Sequence, residues 1–144
     1  MVTEPLPIQP GWARVFLQQG AALPYSGVNW YYPSCNFEVQ RVLETPQDVP
    51  PGNYLVVRVY RDREEVVQRH PLKLASLVLV SGEDGGGSVM WHETVHMKLQ
   101  GETSSEVRRL SCRGGFDDAP KALPPSINEI REALGSKVIL ELPK

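Results

Sequence analysis

Apolar and polar residues alternate over short stretches of this chain, and the period changes only once, near the end. From Trp12, the residues Ala13, Val15 and Leu17 fall on one side while Arg14 and Gln18 fall on the other. That period of two marks a strand. Gly20 and Pro24 break the run. In a second strand Cys35, Phe37 and Val39 alternate with Asn36, Glu38 and Gln40. Tyr54 to Tyr60, rich in valine and tyrosine, predicts a third. Arg61-Asp62-Arg63 reads as a tight turn leading into Glu65-Val66-Val67-Gln68. Leu74 to Val80 is continuously apolar, as in a strand buried on both faces. Glu83-Asp84-Gly85-Gly86-Gly87 reads as a flexible hairpin connection.

The strongest alternation runs from Ser88 to Gln100. Val89, Trp91, Val95, Met97 and Leu99 lie on one side; Ser88, His92, Thr94, His96, Lys98 and Gln100 lie on the other. A turn at Gly101-Glu102-Thr103-Ser104 feeds Val107 to Cys112, so the two segments predict a long antiparallel hairpin. Gly114 to Pro125 is loop. Ser126-Ile127-Asn128-Glu129 then forms a capping box, with Ile127, Ile130 and Leu134 at helical spacing and Gly135 as the stop. A helix of about two turns needs a sheet to pack on. Val138, Leu140 and Leu142 alternate as a closing strand.

These elements predict a mainly β, β-rich α+β fold: an antiparallel sheet, barrel or sandwich with one short C-terminal helix and a last strand. Pro5, Pro7 and Pro10 make the start extended. The expected organisation is an extended N-terminal segment over 1–11 and a single β-rich domain over 12–144. A chain of 144 residues fits one domain and can bury most of its surface. No internal repeat is visible.

The formal net charge of −2 argues against a nucleic-acid binder, which carries a basic stripe. Arg58, Arg61 and Arg63 cluster in sequence, as do Arg108, Arg109 and Arg113, but Asp62, Glu64, Glu65 and Glu106 dilute them. Both groups read as solvated strand faces. No apolar run is long enough to span a bilayer. Met1-Val2-Thr3-Glu4-Pro5 lacks the basic end and apolar stretch of a signal peptide, although a mature exported protein would begin the same way.

One motif resembles catalytic chemistry. His92-Glu93-Thr94-Val95-His96 matches HExxH, in which two histidines one helical turn apart hold zinc and the glutamate activates its water. On a strand the two histidines stand about 13 Å apart. One ion cannot be bound by both at about 2 Å. Glu93 would also point to the opposite face. Met97-Lys98-Leu99-Gln100-Gly101 supplies no third histidine; Glu129 and Glu132 are the downstream carboxylates available. The preferred reading is two histidines on a solvated strand face, with no metal or other cofactor implied. Ser111-Cys112 with His70 lacks the spacing of a nucleophile pair, and Asp117-Asp118 reads as a solvated turn rather than a calcium site.

The aromatic loop is the best binding feature. Tyr25, Trp30, Tyr31 and Tyr32 are suited to stacking on a sugar or anchoring a partner protein, but the preferred reading is that they plug one end of the sheet. Cys35 shares its strand face with Phe37 and Val39, and Cys112 shares its face with Leu110. Both cysteines therefore point inward. They are suited to a bridge across packed strands; two buried free thiols are the alternative.

Trp12-Ala13-Arg14-Val15-Phe16-Leu17-Gln18, Tyr32-Pro33-Ser34-Cys35-Asn36-Phe37-Glu38-Val39, Arg108-Arg109-Leu110-Ser111-Cys112 and the helix from Leu123-Pro124-Pro125-Ser126-Ile127 onward resemble stretches of uncharacterised proteobacterial exported or lipoprotein-like proteins. The resemblance implies an envelope location and supports pairing of Cys35 with Cys112. It brings no known activity, and the lipid-attachment cysteine of such proteins has no counterpart here.

The resulting expectation is a non-enzymatic bacterial cell-envelope domain with a binding or structural role, periplasmic or outer-membrane-associated. Its partner would be an envelope protein or a glycan. The alternatives are a small zinc hydrolase using His92, Glu93 and His96, and a carbohydrate- or peptide-binding module using the aromatic loop. Two free cysteines would point to the cytoplasm instead.

Overall fold

A computed structural model describes residues 1–66, 90–102, 105–115 and 122–142. The strands among them are β1 (Leu6–Ile8), β2 (Arg14–Gln18), β3 (Ala21–Leu23), β4 (Ser34–Val39), β5 (Gln47–Val49), β6 (Tyr54–Val66), β7 (Met90–Gly101) and β8 (Val107–Arg113). Among the described residues one α-helix, α1, spans Ile127–Leu134. Six strands form an antiparallel sheet in the order β3-β2-β4-β8-β7-β6, and β1 pairs with β5 in a separate ribbon. Strands β3 and β6 end the larger sheet without pairing to each other. The sheet is therefore open, and the barrel expectation is corrected.

The centre of the sheet is β4 against β8. All six residues of β4 are buried. Cys35 and Cys112 are directly opposed in the ladder and joined as a disulfide, with both residues fully buried. On the apolar face Val15 and Leu17 of β2, Phe37 of β4, Leu110 of β8 and Met97 of β7 continue the same layer. Ile130, Ala133 and Leu134 of α1 pack onto it, as do Leu6 and Ile8 of β1 and Val49 of β5. Burying each such side chain is worth about 1.5–3 kcal/mol.

The capping box forms as the sequence predicts. Ser126 Oγ accepts from the Glu129 amide at 3.1 Å, and the Ser126 amide donates to Glu129 Oε1 at 2.9 Å. Gly135 ends the helix at φ 60°. A Cβ on Gly135 would lie 2.4 Å from the Gly20 Cα, so only glycine lets the helix end approach the β2–β3 turn this closely. That turn, Gln19-Gly20, has φ of 51° and 77°. Two positive angles are the twist a two-residue hairpin requires.

The N-terminal segment is extended and contributes Val2, Leu6 and Ile8 to the core. The closing strand is reduced to a short bridge. Val138 faces Val2, and backbone bonds run from Thr3 to the Lys137 carbonyl at 2.9 Å and from Ile139 to the Met1 carbonyl at 2.8 Å. Past Ile139, no strand among the described residues pairs with it. The tight turn expected at 61–63 is also absent: β6 runs through to Val66, pairing Arg61 with Val95 and Arg63 with Glu93. The Arg63–Glu93 ion pair at 2.6 Å favours the extended path. The strand predicted at 74–80 and the connection at 83–87 lie outside the described residues.

The disulfide joins residues 77 positions apart. Closing a loop of that length stabilises by about 4 kcal/mol in the chain-entropy model. The double variant Cys35→Ala/Cys112→Ala is expected to lose about 4 kcal/mol in guanidinium unfolding, with an unchanged far-UV spectrum. Equal stability of the two proteins would contradict that role.

Candidate functional site

The second face of the sheet is polar, yet its middle is buried. Asn36, Ser111, His96 and Tyr60 stand side by side across β4, β8, β7 and β6. His96 is 3% exposed and His92 2%, so these histidines do not lie on a solvated face. Alternation assigned them correctly to one side of an extended strand; it carries no information about what covers that side. His96 Nδ1 and Ser111 Oγ share a hydrogen bond at 2.7 Å, and the His96 ring stacks on Tyr60 at 4.9 Å. His92 Nδ1 donates to the Gly114 carbonyl at 3.1 Å. Arg113 donates to Asn36 Oδ1.

This geometry separates the parts of the HExxH motif. The two imidazoles occupy different rungs of β7, and each Nδ1 is engaged by β8 or the residue that follows it. Glu93 faces the opposite side, against Arg63. Glu129 is held by the helix cap, and Glu132 is exposed. Among the described residues, no three metal-ligating side chains gather in one place. Cys112 is consumed by the disulfide and cannot serve as a nucleophile beside Ser111. His70, Asp117 and Asp118 lie outside the described residues.

The aromatic loop divides into two parts. Trp30 packs inward: its ring meets Phe16 edge-on at 5.7 Å and His92 at 5.6 Å, and the Arg113 guanidinium lies 6.0 Å from it. It plugs the polar face. Tyr25, in a short 3-10 turn over Tyr25–Gly27, bridges outward. It contacts Trp30 at 5.2 Å and Phe16 at 5.7 Å, and it stacks on Trp12 at 5.7 Å with 20° between the rings. Trp12 is 43% exposed and Tyr25 50%, so the pair forms an aromatic ledge. Tyr31 and Tyr32, at 61% and 57%, take no place in that stack.

Gln18 secures the loop. This buried amide accepts from the Asn29 amide at 2.9 Å and donates to the Asn29 carbonyl at 2.7 Å. It thereby ties the aromatic loop to the end of β2. Beside the ledge is a hollow of about 250 Å³, lined by Trp12, Tyr25, Pro7, Gln9, Arg14 and Leu23 among others. A larger groove of about 640 Å³ lies between Tyr54, Leu99 and the C-terminal segment; its lining combines the buried Phe37 and Leu110 with the exposed Met1, Ile139 and Leu142.

A charged cluster adjoins the ledge. Glu38 accepts from Arg14 at 3.1 Å, Arg109 at 3.2 Å and Arg108 at 3.4 Å. Its own side chain is 9% exposed. Arg109 also donates to the Tyr60 hydroxyl at 3.0 Å. Burial pulls the Arg109 guanidinium toward the neutral form, but the Tyr60 bond and the Glu38 charge outweigh it and hold its pKa above the usual value. The cation therefore persists at every physiological pH.

Sequence reasoning found Tyr25 and Trp30 but missed Trp12, Phe16 and Arg14, which complete their surroundings. Alternation places Trp12 at the start of a strand but does not show that the distant Tyr25 stacks on it, and Arg14 differs from any solvated strand residue only by what stands opposite it. Gln18→Ala removes both bonds to Asn29, and is expected to destabilise by about 1–3 kcal/mol. It should also open the 25–33 loop to limited proteolysis; a protease pattern identical to the parent's would contradict the clamp. No known protein family, curated protein or solved structure matches this chain.

Proposed function

We propose that this protein is a non-enzymatic binding domain of the bacterial cell envelope, and that it takes a glycan on the ledge formed by Trp12 and Tyr25. One observation carries the reading. Two large rings, stacked at 20° and about half exposed, stand beside a hollow of about 250 Å³ with the hydrogen-bonding groups of Gln9 and Arg14 in its wall. Flat aromatic faces match the apolar faces of sugar rings, and a few polar groups at the edge fix orientation. The ledge is pre-organised: Phe16 and Trp30 support it from beneath, and Gln18 ties down the loop that carries Trp30. Little ordering entropy is then lost on binding.

The envelope assignment rests on two supports. A fully buried disulfide suits an oxidising compartment. The resemblance to exported proteobacterial proteins points the same way. The binding role is favoured over hydrolysis because His92 and His96 are committed to separate neighbours, on separate rungs.

Titration with the neutral oligosaccharide chitohexaose, followed by tryptophan fluorescence and calorimetry, tests the reading. Saturable binding is expected. Trp12→Ala should weaken it about tenfold or more while leaving the melting temperature nearly unchanged, since the ring is half exposed. Binding indifferent to that substitution would place the site elsewhere.

A further inference from the structure

We infer that the glycan is an acidic one, its anionic groups held by a rung of cations that runs from the aromatic ledge across the polar face. This inference rests on the proposed glycan site and specifies its substrate class. The rung follows from strand register. Arg14 on β2 is opposite Glu38 on β4, Glu38 is opposite Arg109 on β8, Arg109 is opposite Lys98 on β7, and Lys98 is opposite Arg58 on β6. Directly opposed residues share a face, and strands lie about 4.8 Å apart, so the row crosses about 19 Å. Arg14 belongs to both features: it begins the rung and lines the hollow beside Trp12 and Tyr25.

Two backbone irregularities fall on this same rung. On β8 the register shifts between Glu38 and Val39, leaving Arg108 as an extra residue; its guanidinium reaches Glu38 at 3.4 Å. On β6 the register shifts between Val56 and Arg58, leaving Val57 as the extra residue. Unbroken pairing would put Val57 opposite Lys98 and turn Arg58 to the apolar face. The bulge instead brings Arg58 beside Lys98, with its guanidinium 5.2 Å from the Tyr60 ring. Bulges re-aim side chains, and here both aim an arginine at one row.

The charge on the row is unbalanced. Arg14, Arg58, Lys98, Arg108 and Arg109 supply five positive charges and Glu38 supplies one negative charge, leaving four, on a chain whose net charge is −2. Among the described residues, Glu38 is the only carboxylate at these register positions. Arg109, Lys98 and Arg58 stand in sequence with no acid between them. Like charges directly opposite are destabilising, so folding alone does not favour this arrangement. An anion laid along the row removes the repulsion. The row sits at the margin of the polar face: Ser111 and His96 on one side are buried, whereas Gln40, Gln100 and Leu55 beyond it are exposed. A ligand can therefore reach it from solvent.

Aromatic stacking at one end and cations along the row suit a chain of sugars that bear acidic groups. The test compares chitohexaose with an oligogalacturonate of the same length and with a short DNA duplex, at low and high salt. The acidic sugar is expected to bind about tenfold more tightly than the neutral one at low salt, and to lose that advantage as salt screens the cations. In Arg58→Gln/Lys98→Gln, with both residues exposed and the melting temperature checked, the ratio between the two sugars should fall toward one. Equal affinity for both sugars in the parent protein would overturn the inference and leave the glycan ledge standing. A ratio unchanged in the double variant would overturn it also. DNA bound as tightly as the acidic sugar would make the row a general polyanion surface, against the inference. Failure of both sugars to bind would remove the ledge reading itself.

Discussion

The pairing of β4 with β8 is the constraint on which the rest of the structure depends. The two strands are distant in the chain, and the cysteines that join them are 77 positions apart. Non-local pairing must meet its loop-closure entropy before it gains any contact. Burial on both faces and a covalent link offset that cost together. On one face Phe37 and Leu110 join the apolar core; on the other Asn36 lies beside Ser111 and bonds Arg113. A slip of one residue would turn Glu38 and Asn36 into that core, so the buried polar layer specifies register as firmly as the hydrophobic layer does.

Much of this was legible from local pattern. The period of two placed β2, β4, β7 and β8 and gave the correct inward side, because the apolar face obeys hydrophobic burial. The inward direction of Cys35 and Cys112 followed from the same parity, and the capping box at Ser126 from a purely local exchange of hydrogen bonds. Tertiary context decided what pattern could not show. His92 and His96 look like solvated residues until the second face is found to be covered. Arg61-Asp62-Arg63 looks like a turn until Glu93 is found opposite Arg63.

The candidate site was legible only in fragments for the same reason. Tyr25 and Trp30 stood out by composition, but their neighbours Trp12, Phe16 and Arg14 reach them through folding of the 19–33 segment. The arginines near 58 and 108 looked diluted by adjacent acids in sequence. Neighbours in sequence on a strand point to opposite faces, however, and bulges change parity without any residue signature. Register, rather than spacing along the chain, gathers Arg14, Arg109, Lys98 and Arg58 into one row. The disulfide-bonded strands carry the middle of that row, so the element that stabilises the fold also fixes the position of the proposed binding surface.

The aromatic ledge and the cationic row are proposed to form one binding surface. Nuclear magnetic resonance titration with oligogalacturonate tests it most directly, through the indole Nε1–H signal of Trp12 and the Nε–H signals of Arg14, Arg58 and Arg108. All of these signals are expected to shift along a single binding curve. Shifts at Trp12 alone, or signals from these residues that stay still while others move, would contradict it.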